Sequence, residues 1–449
     1  MTLRHWLGAL ASLGVLGISS AAFADPALPT RASAMATVAE RLSKELAGAP
    51  PAGVVVAAPL RTDESAPRGD ELVVRLGQVV GGALGASLAR PEPLALPAAR
   101  SAARRADAFV YVQAEVLRGE LRVSADVYPS PQGFWERLLR PNPSPIRHAF
   151  ASARLDAEVR GFLAPVPLVM GQIDRAKTED RDVVALACGD LDADGALELV
   201  TLGRRRIARG RLRGGRFETS HAVEWSALSP IAPAPLREPM AGVAILSGTW
   251  PSGAFVDVGL TDRASGMRLD RTLRPVKPIE GVPVSFGDRD VCATYAPSET
   301  TPTFARCSQD DPQLELAPLS NPTDIVTIEA LTTRSAGSLA IWAARNPQTG
   351  ELRLVANGFG TTIAGVGAQV AIADLDTDGI PEIISSADVL SPSEDALVVH
   401  SWRPGEAAQE RARIPVPQGV RAIAVCPPEG AGASPIAVAT AGAEIWVVR

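Results

Sequence analysis

From about Asp182 to the last residue, apolar positions come in short runs broken by Gly, Pro, Asn and Asp, and nothing there sustains the 3.6-residue period of a helix. The runs group into self-similar units: Asp182 to Trp225, Met240 to Glu280, Val282 to Pro318, Asp324 to Gly360, Gly365 to Pro417, and a shortened one from Val420 to Arg449. Each offers three or four strands; in the fourth unit they are Asp324 to Leu331, Ser338 to Ala344 and Glu351 to Ala356. The N-terminal part is patterned differently. Met35, Val38, Ala39, Leu42 and Leu46 fall on one helical face, Val54 to Ala57 is a strand of the buried type, and a second helix is expected from about Glu71 to Leu88. Ala108 to Leu117 and Leu121 to Tyr128 alternate as a hairpin around Arg118-Gly119-Glu120, and His148 to Leu155 supplies a third strand.

Successive units of roughly 40 to 50 residues with four strands each are the signature of β-propeller blades. The last unit ends at Trp446-Val447-Val448-Arg449 without an outer strand, while Val166 to Ile173 has strand character ahead of the first unit. A strand from before the first blade would complete the last one and close the ring. The expected fold is therefore mainly β: a six-bladed propeller, with seven blades as the alternative, preceded by a small α/β domain. Residues 1–24 read as a secretory signal, 25–165 as the α/β domain and 166–449 as the propeller.

The signal has a basic start, an apolar stretch from Leu7 to Ile18 and a small-residue end at Ala22-Phe23-Ala24. Its apolar core is too short to span a bilayer, no cysteine follows it as a lipoprotein would require, and no later segment is long and apolar enough to cross. The expected product is exported, periplasmic or extracellular, with no membrane span after cleavage. Residues 25–165 carry 17 Lys+Arg against 15 Asp+Glu, and residues 166–449 carry 26 against 35, so the acid excess lies in the second part. The absence of a basic domain argues against nucleic acid as a partner.

Two stretches repeat one acidic pattern, D-x-D-x-D-G-x-x-E: Asp190, Asp192, Asp194, Gly195 and Glu198, then Asp374, Asp376, Asp378, Gly379 and Glu382. Alternate carboxylates can converge on one hard cation, and the glycine permits the sharp turn that folds the last acid back onto it. The two lie 184 residues apart, about four blade steps, which places them on the first and fifth blades.

This loop between two strands resembles that of the FG-GAP and VCBS repeats, found in the β-propellers of integrin α-chain heads and many exported bacterial proteins. The resemblance implies calcium as the cofactor. Asp190, Asp192 and Asp194 would be side-chain ligands, with the Ala196 carbonyl and Glu198; in the second loop the set would be Asp374, Asp376, Asp378, the Ile380 carbonyl and Glu382. Phe359-Gly360 matches the pair that names the family, and the first loop has no such pair. Many members close with Asp where this chain has Glu. The N-terminal part, through its strand-helix opening and Ala106-Asp107-Ala108-Phe109-Val110, loosely resembles the small α/β domains of the TolB, FlgO and CsgG envelope families. An α/β domain before a propeller is also the TolB architecture, although the W-S-P-D-G type motif of TolB blades is absent.

Four cysteines in an exported chain are expected to oxidise. Cys292 and Cys307 sit at the ends of a hairpin and should pair. Cys188 and Cys426 occupy equivalent places in the first and last units and would pair if those units are neighbours. Arg209, Arg211 and Arg213 alternate along a strand and offer either an anion-binding stripe or a solvated outer strand protected against edge pairing. Signatures of catalysis are lacking: no G-x-S-x-G, H-E-x-x-H, phosphate loop or C-x-x-C occurs, and His148, His221 and His400 have no second metal ligand at suitable spacing. The expected function is non-enzymatic: a binding or scaffold protein on a calcium-stabilised propeller, recognising a protein or glycan partner in the envelope or outside the cell. The alternatives are a carbohydrate-active enzyme with acids in the propeller channel, whose two carboxylates need share no sequence spacing, and a TolB-like envelope assembly or translocation factor.

Overall fold

The computed structural model describes residues 32–449 except 51, 132, 134, 136, 137, 139–141, 193, 195, 230, 232, 235–238, 247–253, 285–290, 295–302, 308–322, 336, 429 and 431. The signal expected over residues 1–24 lies outside the described residues. In the N-terminal part, helix α1 (Ala34–Glu45) begins at Ser33, whose hydroxyl accepts the Ala36 N–H, and it buries the predicted face of Met35, Val38, Ala39 and Leu42. Helix α2 (Gly69–Leu84) stops before the expected Leu88 because Gly85 turns left-handed, at φ 68°, and Ser87–Leu88 becomes a short edge strand instead.

The sheet beside these helices runs in the order Ser87–Leu88, Val54–Ala57, Ala108–Leu117, Glu120–Pro129, Arg147–Arg154, with Arg61–Thr62 pairing the far end of Ala108–Leu117. The first three strands are parallel and the last three antiparallel. Of the expected turn Arg118-Gly119-Glu120, the first two residues take positive φ, which matches the turn to the strands' own twist, and Glu120 begins the next strand opposite Leu117. The two helices cover one face of the sheet, and a short helix, Leu96–Ala102, covers Phe109, Tyr111 and Tyr128 on the other.

The rest of the chain is antiparallel sheet. Six inner strands begin successive units: Val183–Gly189, Ala241–Leu246, Val282–Val284, Ile325–Thr332, Val366–Ala373 and Val420–Val425. The first, second, fourth and fifth units have four strands each among the described residues, and the third has three. In the last unit Val420–Val425, Ile436–Thr440 and Glu444–Val448 are joined by Ile173–Lys177, which runs antiparallel to the final strand with Ile173 opposite Val448 and Ala176 opposite Ile445. A strand from before the first unit thus completes the last. It lies later than the expected Val166 to Ile173, since Pro165 and Pro167 have no N–H to give to a ladder. The same strand touches Arg216 of the first unit at Lys177, so the first and last units share one eight-stranded sheet.

Cys188 and Cys426 form a disulfide between those neighbouring units, with Cα atoms 4.8 Å apart. Cys292 and Cys307 close the hairpin of Val291–Thr294 and Thr303–Arg306, with Cα atoms 4.9 Å apart. The architecture is mainly β, a propeller preceded by a small α/β domain. Its inner strands surround a cavity of about 860 Å³, and residues Arg154 to Ala157 of the α/β part stand at its wall beside Asp374 and Thr377. Among the described residues no helix is long and apolar enough to cross a membrane.

Candidate cation site

Each acidic loop links the inner strand of its unit to the next strand, and the two loops share one internal hydrogen-bond skeleton. In the first, the Leu191 N–H donates to Glu198 Oε2 at 2.7 Å, the Asp194 N–H to Asp190 Oδ1 at 3.1 Å, and the Ala196 N–H to Asp194 Oδ1 at 3.0 Å. In the second, the Leu375 N–H donates to Glu382 Oε2, the Asp378 N–H to Asp374 Oδ1, and the Ile380 N–H to Asp378 Oδ1, each at 2.8 Å. The Gly379 N–H adds a bond to Asp374 Oδ2 at 2.8 Å, and Gly379 holds φ 83°, the left-handed turn for which glycine is placed. Glu198 and Glu382 are both almost wholly buried.

What neutralises the carboxylates differs. In the first loop two guanidinium groups do so. Arg209, itself buried, bonds Asp192 and also donates to the Arg271 carbonyl of the second unit at 2.5 Å. Arg211 bonds Glu198 and, at 2.7 Å, Asp194 Oδ2. These side chains come from the unit's third strand, where Gly210 faces Leu199 and Arg209 faces Val200. In the fifth unit the matching register sets Ser401 opposite Glu382, His400 opposite Ile383 and Val399 opposite Ile384. The places of Arg211 and Arg209 are therefore taken by Ser401 and Val399. Ser401 gives Glu382 a single hydrogen bond, at 3.0 Å, and no charge.

Asp374, Asp376 and Glu382 consequently crowd together, each with a carboxylate oxygen within 4.8 Å of the others. Burial raises Glu382 to about 8 and Asp374 to about 7, with the neighbouring carboxylates adding to both shifts, and it raises Asp376 as well. In the first loop the sign is opposite: hydrogen bonding from Arg211 holds Asp194 below the usual carboxylate range. Asp378 stands outside the crowded trio, its Oδ1 turned to the Ile380 N–H and its Oδ2 4.0 Å from exposed Arg334. Hard oxygen donors with spacings that two bonds of about 2.4 Å could bridge fit calcium. In the sister loop the guanidinium groups of Arg209 and Arg211 supply the positive charge that no side chain among the described residues supplies to this trio.

The arginine stripe is divided in the structure. Arg209 and Arg211 are engaged by this chain's own acids, and only Arg213 is solvent-exposed. The histidines are dispersed: His148 pairs with Asp126, His221 contacts Ser220, and His400 has its Nδ1 buried without a partner. Phe359 opens the outer strand of the fourth unit, exposed, and Gly405 of the fifth unit packs near its ring. Sequence reasoning missed Arg209 and Arg211 as partners of the first loop. Aligning the third strands of the two units on their closing glutamates was the signal available.

No family model matches this chain, and no curated protein does. Solved structures similar to it include AofleA from Arthrobotrys oligospora, at 13% identity over 60% of this chain and 83% of that one, with a TM-score of 0.34. TolB from Acinetobacter baumannii is 12% identical over 88% of this chain and 93% of its own, with a TM-score of 0.27. The C-terminal domain of LpoB from Salmonella enterica is 15% identical over 27% of this chain and 98% of its own, with a TM-score of 0.21.

Proposed function

We propose that this chain is an exported, non-enzymatic binding or scaffold protein, built on a six-bladed FG-GAP-like propeller, that recognises a protein or glycan partner in the cell envelope or outside it. Calcium holds its second acidic loop through Asp374, Asp376 and Glu382, while arginine performs that office in the first. The observation that carries the reading is the way the clustered acids are tethered. Backbone N–H groups of Leu375, Asp378 and Gly379 fix Glu382 and Asp374 in place, an arrangement suited to gripping an ion. Exported modules of this kind bind calcium with Kd on the order of 0.1–1 mM.

Affinity capture from envelope extract, with the chain immobilised in calcium, tests the reading, and a saturable protein or glycan partner is the expected result. The propeller cavity supplies the opposing outcome. Glu329 lines it and is nearly buried. Polysaccharide hydrolysis or lysis by purified protein, lost in Glu329→Gln with an unchanged melt, would replace the scaffold reading with an enzymatic one.

A further inference from the structure

We infer that the second acidic loop is a calcium-operated clasp between the α/β domain and the propeller, with Arg160 as its positioning residue. The inference rests on calcium being the cation of that loop. Arg160 ends a helical turn, Ala157–Arg160, and is buried. Its Nη1 donates to Glu64 Oε2 within the α/β domain at 2.5 Å, and its Nε crosses to the propeller, donating to Thr377 Oγ1 at 3.2 Å. The Thr377 hydroxyl in turn donates to the Asp376 carbonyl at 2.7 Å. One hydroxyl therefore connects a side chain of the α/β domain to the peptide bond of a cation ligand.

The contact is close along its length. A Cβ added at Gly379 would lie 3.3 Å from the Ala157 Cβ, so the loop's glycine lies flush against the turn. Asp156 caps that turn by accepting the Val159 N–H at 3.1 Å and reaches the Ala34 N–H of helix α1 at 2.7 Å. Movement of the loop is thereby passed to the first helix.

Two features make this junction responsive. Thr377 holds φ 54°, a left-handed conformation that a β-branched residue adopts only where its surroundings impose it. A cation drawing Asp374, Asp376 and Glu382 together is such an imposition. On the other side, Glu64 Oε1 and Glu158 Oε2 are buried without hydrogen-bond partners, a cost to stability on the α/β side of the junction. Calcium binding and domain docking then favour one another to the same degree, as linkage requires. The first loop has Ala193 where Thr377 stands, and its arginines make it permanently neutralised.

The experiment uses the full chain stripped of metal. Calcium titration by calorimetry is run on the wild type, on Arg160→Gln and on Thr377→Ala, the last preserving the Arg160–Glu64 pair should the first fail to fold. Hydrogen exchange of residues 157–163 is followed in wild type with and without calcium. The expected result is calcium binding about fivefold weaker in the variants, within the usual range of coupling between sites, and calcium-dependent protection of 157–163. Unaltered affinity together with exchange in 157–163 that ignores calcium overturns the coupling and leaves the site. Absence of calcium binding by the wild type overturns both.

Discussion

The two acidic loops share a sequence pattern, a position within their units and a hydrogen-bond skeleton, and yet arginine neutralises one while Asp374, Asp376 and Glu382 of the other crowd together without a guanidinium among the described residues. The difference lies in neither loop. It lies on the neighbouring strand, where Arg209 and Arg211 in the first unit give way to Val399 and Ser401 in the fifth. A buried carboxylate cluster must be matched by positive charge or take up protons. The first loop draws its charge from the covalent chain, and in the proposed reading the second draws it from solution. One motif can thus have its charge balanced in different ways, and the adjoining strand sets which.

The largest expected effect comes from taking the covalent cation away. Arg209→Ala leaves Asp192 and nearby Glu198 without their buried partner and should cost about 3–5 kcal/mol in urea unfolding; a loss below about 1 kcal/mol would mean that the arginine only decorates the loop. Next is calcium itself. Calorimetry should find one ion per chain, retained in Asp192→Asn and lost in Asp374→Asn, and saturation tenfold above Kd should add about 1.4 kcal/mol. Ser401→Arg, which transplants the first unit's solution, should abolish the response to calcium. Two ions per chain would erase the contrast.

A smaller effect is expected from pH. Asp374 and Glu382 are raised from ordinary values of 3.8 and 4.5 to about 7 and about 8, so between those limits the metal-free folded chain holds protons that the unfolded chain has released. Its stability should be greatest at the acid end of that window and fall as pH rises through it. Saturating calcium displaces those protons and should flatten the decline; thermal melts from pH 5 to 8, with chelator and with calcium, measure the difference. Smallest of all, Arg213→Ala at an exposed position should alter stability by no more than about 0.5 kcal/mol.

The repeating units were legible because each inner strand is an apolar run bounded by turn residues, and the observed strands fall inside the expected limits except at the fourth unit, whose outer strand Phe359–Ile363 runs beyond Gly360, and at the strand completing the last unit, Ile173–Lys177, which lies past the expected Val166 to Ile173. The Cys188–Cys426 disulfide followed from the same alignment, since equivalent places in adjoining units are close in space, and Cys292–Cys307 from its place at the two ends of one hairpin. The end of helix α2 was misjudged because apolar residues continue past Gly85 while the backbone does not. At the site, the acids could be read directly. Their partners could not, because strand register brings Arg211 to Glu198 and local pattern carries no register. Still less legible was the bond from Arg160 to Thr377, which spans 217 residues.

The way the ring closes dictates an order of events during synthesis. Strand Ile173–Lys177 is made before every other strand of the propeller, but its ladder partner, Glu444–Val448, comes after all the other described strands. Until then the early strand is an open edge able to pair with other chains. Contacts of such long sequence separation form slowly. The interval before the two ends meet is when the chain is most exposed to aggregation, and a chaperone that shields the early strand would raise the yield of folded protein more than one acting on any later blade.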